Sequence, residues 1–334
     1  MKIVIATGIY PPQIGGPAQY AKELADALTR AGNEVVIKTY RLEYKLPTGI
    51  RHLYYFFKIL PTVWQAEVVI ALDTFSVGLP AVAAGRLLGT TVIIRTGGDF
   101  LWEGHVERTG TKVLFRDFYH TSRAKWNLKE KIIFALSGWT LRYASKLVFS
   151  TTWQRDIFTS VYKLDQTKIY LVNNFSGPKL PSLPPVSQVF VAGTRPLKWK
   201  NLDTLKQAFV FVGTDYSGAK LDLTTASYQE FLEKIKSAYA VILVSLGDIS
   251  PNLVLDALRF NKPVILTKET GFTDLLEDTV LWVDPLNIQD ITEKIKLLLD
   301  PAVYQDYVAR ATAFNYIHTW DEIASEFTQV IKTI

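Results

Sequence analysis

Residues 2–40 open with Lys2-Ile3-Val4-Ile5-Ala6, pass through a loop containing Pro11-Pro12 and Gly15-Gly16, continue as Pro17–Ala31, and close with Glu34–Tyr40. The first run is apolar without alternation, which suits a strand covered on both faces. Pro17–Ala31 carries Ala21, Leu24, Ala25 and Leu28 at helical spacing, with Pro17 at its start and Gly32 as its stop. Glu34–Tyr40 then reads as a second strand. The same alternation continues with strands at Val68–Leu72, Thr91–Arg95, Lys146–Ser150 and Lys168–Val172 and helical stretches between several of them. Strands separated by helices imply a parallel sheet with helices on both faces.

Between Ser176 and Gln188 the pattern stops: Pro178, Pro181, Pro184 and Pro185 crowd a segment with no apolar period, which is linker chemistry. Beyond it, strands are expected at Val189–Ala192, Lys220–Thr224, Val241–Ser245, Pro263–Thr267 and Val280–Val283, with a further short one at Val210–Gly213. Helices are expected at Leu202–Ala208, Tyr228–Ser237, Pro251–Phe260 and Asp290–Leu299. A chain of 334 residues, against roughly 150 per domain, fits two α/β halves joined by a proline-rich hinge.

Composition removes several function classes. Hydrophobic residues make up 48% and charged residues 21%, the balance of a folded globular chain rather than a disordered one. Cysteine is absent, so disulfide scaffolds, thiolate metal sites and cysteine nucleophiles are excluded. The longest apolar stretches, Val77–Leu88 (interrupted by Arg86) and Ile132–Leu141, are shorter than the roughly 18 residues that cross a bilayer. Ile3–Ala6 is too short for a secretory core, and the chain is expected in the cytoplasm. The net charge of +5 and an isoelectric point near 9.0 suggest an anionic partner.

Familiar phosphate and metal signatures are missing. Thr7–Gly16 is not G-x-G-x-x-G, and Tyr40-Arg41, rather than an acid, ends the second strand, which argues against a dinucleotide dehydrogenase. There is no G-x-x-x-x-G-K-[ST], no H-E-x-x-H and no D-x-D, so neither a metal site nor a resident cofactor is expected. No nucleic-acid reader motif accompanies the basic charge, and nucleic acid is not an expected partner.

Three features remain. Gly15-Gly16 leaves backbone uncovered at a helix start, where N–H groups favour an anion or a sugar oxygen, although a plain tight turn would look the same. Gly193-Thr194-Arg195, with Lys200 beyond it, follows the strand Val189–Ala192, placing two cations where open α/β sheets bind ligands. A guanidinium fork and an ammonium suit a diphosphate; a solvated basic loop containing Lys198 is the alternative. Third is Asp248-Ile249-Ser250-Pro251-Asn252-Leu253-Val254-Leu255-Asp256, with Ser250 as expected N-cap and Pro251 as first helical residue. Asp248 would lie at the helix mouth and Asp256 inside it, on a polar stripe with Asn252 and Arg259. A capped surface helix with an Asp256–Arg259 pair fits as well.

Taken together, these elements resemble the retaining GT-B glycosyltransferases of family 4, over nearly the whole chain. Tyr10-Pro11-Pro12 through Gly15-Gly16 resembles the family's N-terminal donor loop. Arg195 and Lys200 fall at the spacing of its diphosphate-binding pair. Asp248 and Asp256 stand where the family has two glutamates, and Asn261-Lys262-Pro263-Val264-Ile265 resembles the strand that follows. Trp320 resembles the tryptophan of a final helix that returns to the first domain. The chain departs from the pattern in both aspartates, in Ile249 where a glycine is usual, and in the first domain's missing histidine. There Arg95-Thr96-Gly97-Gly98-Asp99-Phe100-Leu101-Trp102-Glu103-Gly104-His105 resembles a Gly-Asp-x-x-Trp-Glu variant.

The resemblance implies an α/β GT-B fold: two Rossmann-like parallel-sheet domains facing each other across a cleft. An acceptor-binding domain would span 1–177, a hinge 178–188, a nucleotide-sugar domain 189–312 and a returning helix 313–334. It implies metal-independent transfer of a hexosyl or other glycosyl group from a nucleotide-diphosphate sugar to a glycan or lipid-linked acceptor, in cell-envelope polysaccharide synthesis. Arg195, Lys200 and Asp248 would be catalytic, with Asp99 and His105 as further candidates. Gly15, Gly16, Gly193, Ser250, Pro251, Asn252, Leu253 and Asp256 would join them in binding the donor, Asp248 on sugar hydroxyls and Asp256 on the ribose. A GT-B nucleotide-sugar epimerase, or a non-catalytic nucleotide-sugar scaffold, are the rival readings.

From Lys112 to Lys146 the cations Lys112, Arg116, Arg123, Lys125, Lys129, Lys131, Arg142 and Lys146 are interleaved with Phe115, Phe118, Tyr119, Trp126, Phe134, Trp139 and Tyr143. This mixture suits peripheral attachment to an anionic membrane surface; a basic helix pair with its aromatics turned inward is the alternative.

Overall fold

The computed structural model describes residues 1–13, 15–192, 196–224 and 227–333; Gly193 and Arg195 lie outside the described residues. The apolar runs become two all-parallel sheets. The first contains β1 (Lys2–Thr7), β2 (Glu34–Thr39), β3 (Val68–Ala71), β4 (Thr91–Arg95), β5 (Lys146–Phe149) and β6 (Ile169–Leu171), in the order β2-β1-β3-β4-β5-β6. The second contains β7 (Val189–Ala192), β8 (Lys220–Asp222), β9 (Ala240–Leu243), β10 (Val264–Thr267) and β11 (Leu281–Val283), in the order β11-β10-β9-β7-β8.

The chain divides into two units: one holds Met1–Leu101, Lys125–Phe175 and the residues from His318 onward, the other Trp102–Ala124 and Ser176–Ile317. In the first unit, Ile3 and Ile5 of β1 face one side and Val4 the other, all fully buried, because both sides of a parallel sheet are covered. On the Ile3 side, Leu24 and Leu28 of the helix Gly16–Arg30 meet Ile323 and Phe327 of the last helix, Trp320–Lys332. Trp320 stacks on Phe175 at 5.5 Å between ring centroids and meets the Tyr20 edge at 5.2 Å. The β2→β3 and β3→β4 crossovers run the opposite way across the sheet from β1→β2, so right-handed connection puts their helices on the other side.

In the second unit, period-two alternation sends Phe190, Ala192 and Ile242 to one side, against Leu205, Ala208 and Val212. Val191, Val241 and Leu243 go to the other, against Val254, Leu255 and Leu258. Val210–Gly213, expected as a strand, is instead the end of a helix, Leu202–Gly213. Leu205, Ala208 and Val212 fall on one helical face, while Val210 and Phe211 point outward at 70% and 51% exposure. The apolar run is real, but its inward members follow period 3.6 rather than 2.

The helix expected from Pro251 begins at Asn252, and Pro251, not Ser250, occupies the N-cap position with φ −73° and ψ 104°. The proline-rich stretch is fastened within the second unit. The Leu180 N–H donates to Arg259 O at 2.8 Å, Leu183 N–H to Lys236 O at 3.0 Å, and the Lys179 ammonium to Leu258 O at 2.8 Å. The buried Lys262 ammonium donates to Leu183 O at 2.6 Å, and burial lowers its pKa to about 8.

Candidate functional site

In the second sheet the connection leaving β7 goes to one side and the connection leaving β9 to the other. The loops at the carboxyl ends of these adjacent strands therefore flank the point where the winding reverses, the usual ligand position in an open α/β sheet. Lys200 follows β7 and Asp248 follows β9. The Lys200 ammonium lies 2.5 Å from Asp248 Oδ2, with both side chains about six-sevenths buried at 14% and 13% exposure. Ser245 Oγ donates to the same carboxylate oxygen at 3.2 Å, and the ammonium sits 4.3 Å from the centre of the Trp199 ring.

Local chemistry fixes both loops. Asn201 adopts the left-handed conformation (φ 57°), which asparagine tolerates better than most residues. Its amide donates to Val244 O at 3.1 Å and Pro285 O at 2.7 Å while Oδ1 accepts from Thr204 at 2.6 Å, joining the ends of three strands. Leu246 N–H donates to Trp199 O at 2.9 Å, and Asp248 N–H to Glu269 O at 2.9 Å. Glu269 itself is buried at 4% exposure and held by Arg116 through Nη2 at 2.7 Å and Nε at 2.8 Å. Burial raises the Glu269 pKa, and Arg116 partly offsets this. Asn201 and Glu269 were not singled out from the sequence, and Arg116 was named only as a cation of the basic stretch, not as a partner of these loops. The signal for Glu269 was its position just past β10, at the same sheet edge as Asp248.

Arg116 belongs to Trp102–Ala124, which packs within the second unit against these loops. Phe115 N–H donates to Leu246 O at 3.1 Å, the Lys112 ammonium to Thr204 Oγ1 at 2.7 Å, and Lys198 N–H to Glu107 Oε1 at 2.7 Å. Trp102 lies 5.7 Å from Trp199 and 5.4 Å from Phe115, centroid to centroid. Gly247 makes this approach possible: a Cβ there would stand 2.5 Å from Phe115 Cβ and 3.1 Å from the Trp102 ring. Gly247→Ala is expected to lower stability by about 1–3 kcal/mol, the usual cost of overpacking. Thermal unfolding of the variant measures it, and an unchanged midpoint would show that the segment yields freely.

Asp256 is brought into a different set of contacts. It is 5% exposed, accepts from Arg259 Nη1 at 3.0 Å and from the Tyr228 hydroxyl at 3.1 Å, and burial raises its pKa against the pull of both partners. The Arg259 pair expected at helical spacing is present; Tyr228, at the start of the helix Tyr228–Ser237, was not foreseen. Asn252 and Leu253 form the first turn of the helix Asn252–Arg259, Pro251 precedes it, and no side chain caps it.

Other candidates lie elsewhere. His105 is 1% exposed, 5.2 Å from the Phe118 ring centroid and 3.3 Å from Arg108 through Nδ1. Asp99, in the first unit after β4, is buried and accepts the Leu101 N–H at 2.9 Å. Gly15 precedes the helix Gly16–Arg30 with φ 150°, which favours glycine, and Gly16 has open space where a Cβ would go. Of the basic stretch, Phe115, Phe118, Tyr119 and Trp126 are buried, Lys146 is engaged by Tyr170 and Thr333, and Lys125, Lys129, Lys131 and Arg142 are exposed.

No protein-family model matches the sequence, and no curated protein matches it. Solved structures do. Sucrose-phosphate synthase from Thermosynechococcus elongatus superimposes with a TM-score of 0.73 at 14% identity, over 99% of this chain and 98% of the other. Anabaena HepE in complex with UDP and glucose gives 0.68 at 14% identity, with both chains covered completely. An E. coli structure described as trehalose-6-phosphate bound with UDP-2-fluoro glucose gives 0.72 at 10% identity, over 100% and 99%. At such identities the likeness is one of architecture: the chain has the GT-B fold, the fold of these glycosyltransferases.

Proposed function

We propose that the chain is a retaining glycosyltransferase that moves a sugar from a nucleotide-diphosphate sugar to a glycan or lipid-linked acceptor in cell-envelope polysaccharide synthesis. The observation that carries this is the 2.5 Å pairing of Lys200 with Asp248 at the winding reversal of a GT-B sheet. Breaking the bond from sugar C1 to the diphosphate leaves negative charge on the departing phosphate. An ammonium has three donors: one is spent on Asp248 and the others remain for phosphate oxygens, so the carboxylate aims the cation before the donor arrives. Arg195, five residues before Lys200 in the sequence, would add a fork to the diphosphate, and the two cations would supply the charge that a metal supplies in D-x-D enzymes. Asp248 would keep its second oxygen for a sugar hydroxyl. A ribose hydroxyl would take the place of the Tyr228 phenol on Asp256. The acceptor would come from the first unit, and the exposed cations of the basic stretch favour a negatively charged membrane surface as partner.

Calorimetry with a panel of nucleotide sugars, followed by an assay for released nucleotide in the presence of chelator, tests this reading. Binding, with nucleotide released only when acceptor is present, is the expected result. Conversion of the sugar without acceptor would mean an epimerase, and binding without turnover a non-catalytic scaffold.

A further inference from the structure

The helix Thr48–Trp64, on the β2→β3 crossover of the first unit, buries Tyr55, Ile59 and Val63 on one side. Its other side is apolar as well. Ile50, Leu53, Tyr54, Phe57 and Trp64 are 57%, 59%, 42%, 61% and 74% exposed, at spacings that keep them on one stripe. The next helix along the same side, Gly78–Leu88, adds Leu87 at 67%; Leu128–Tyr143 beyond it adds Leu128 at 74% and Ile132 at 49%. The three are neighbours in the first unit. Thr90 Oγ1, just after the second, donates to Val63 O at 3.1 Å, and the Arg86 guanidinium lies 4.6 Å over the Tyr143 ring. Scattered exposed apolar residues are ordinary on a soluble surface; a continuous stripe flanked by further ones is a contact surface.

Charge decides what the surface meets. Neither of the first two helices contains an aspartate or glutamate, and the one acid of the third, Glu130, is buried in its own capping box. The exposed charges are Arg86, Lys129, Lys131 and Arg142, all positive. Apolar side chains bordered by cations, with tyrosine and tryptophan among them, match the boundary between acyl chains and anionic headgroups. Among the described residues no helix is long and apolar enough to cross a membrane, so the helices would lie on the surface.

We propose that the helix Thr48–Trp64 docks the chain on an anionic bilayer, its apolar stripe entering the headgroup boundary and Arg86, Lys129, Lys131 and Arg142 meeting lipid phosphates. This extends the membrane part of the function proposed above and moves the contact's centre away from the basic stretch; it does not depend on sugar transfer. The full chain is sedimented with phosphatidylcholine vesicles and with vesicles of equal parts phosphatidylcholine and phosphatidylglycerol. Wild type is expected to pellet with the second and much less with the first. The double variant Leu53→Ser/Phe57→Ser, confined to exposed positions, should cut anionic-vesicle binding by roughly a hundredfold, given the usual value of burying two large side chains. Lys129→Glu/Lys131→Glu should cut it by about fivefold or more per charge, and only where phosphatidylglycerol is present. Circular dichroism checks that both variants fold, and nucleotide-sugar calorimetry, which should be unchanged in both, separates this result from the donor site. The proposal is overturned if wild type stays in the supernatant with anionic vesicles at low salt, or if the serine variant pellets like wild type. It is also overturned if the stripe proves to be a dimer interface, with light scattering showing a dimer that the serine variant breaks and that binds no lipid.

Discussion

Lys200→Ala is expected to lose sugar transfer by about a hundredfold to a thousandfold, the range seen when one preorganised donor to a developing anion is removed. It also leaves the Asp248 carboxylate, 13% exposed, with the Ser245 hydroxyl at 3.2 Å in place of a full positive charge. Removing one partner of a buried pair costs about 3–5 kcal/mol; residual solvent access and the Ser245 bond reduce that here to about 1–3 kcal/mol. The double variant Lys200→Ala/Asp248→Ala should recover much of the lost stability, because no lone charge remains, while transfer stays absent. Denaturant titration reads the first quantity and nucleotide release the second. Arg195→Ala should likewise abolish transfer. Wild-type turnover in Lys200→Ala would end the proposal that this cation meets the leaving phosphate.

Phe327→Ala should have the largest effect on stability alone. The ring is fully buried between Leu24, Leu28 and the Ile3–Ile5 face of the first sheet. Truncating a phenylalanine there removes its transfer free energy and leaves a cavity, typically costing about 3–5 kcal/mol. By contrast, the Arg30–Asp321 ion pair between the same two helices, 2.7 Å long but with side chains 55% and 75% exposed, should contribute little. A shift in the denaturation midpoint for Phe327→Ala no larger than that for Asp321→Ala would show that the last helix is not held by its apolar face.

The alternation of strand and helix was legible because fully buried parallel strands leave continuous apolar runs, as Ile3–Ala6 and Val68–Ala71 do. Val210–Gly213 misled for the same reason: three apolar residues in a row do not reveal which period selects the inward ones. Lys200 and Asp248 could be found because each lies a few residues past an apolar run. Their pairing depends on β7 and β9 being neighbours although β8 intervenes in sequence, and no local pattern encodes that. The Asp256–Arg259 pair is local and was visible; Tyr228 reaches the same carboxylate from another helix and was not. The basic stretch was noticed for its composition, yet much of its aromatic content turned inward. The outward stripe of Thr48–Trp64 lacks a charge run and passed unnoticed.

Trp102–Ala124 is encoded in the middle of the first unit's sequence but folds with the second. Neither unit is therefore a single stretch of polypeptide, and a gene cut at the proline-rich segment would not separate two autonomous halves. The upstream fragment would carry Trp102 and Phe115 without the Trp199–Gly247 surface that shields them, leaving sticky aromatic side chains in water. The downstream fragment would keep Glu269 interred without its guanidinium. Translation imposes the same order, so these aromatics leave the ribosome before their shelter exists and wait for residues near 250 to emerge.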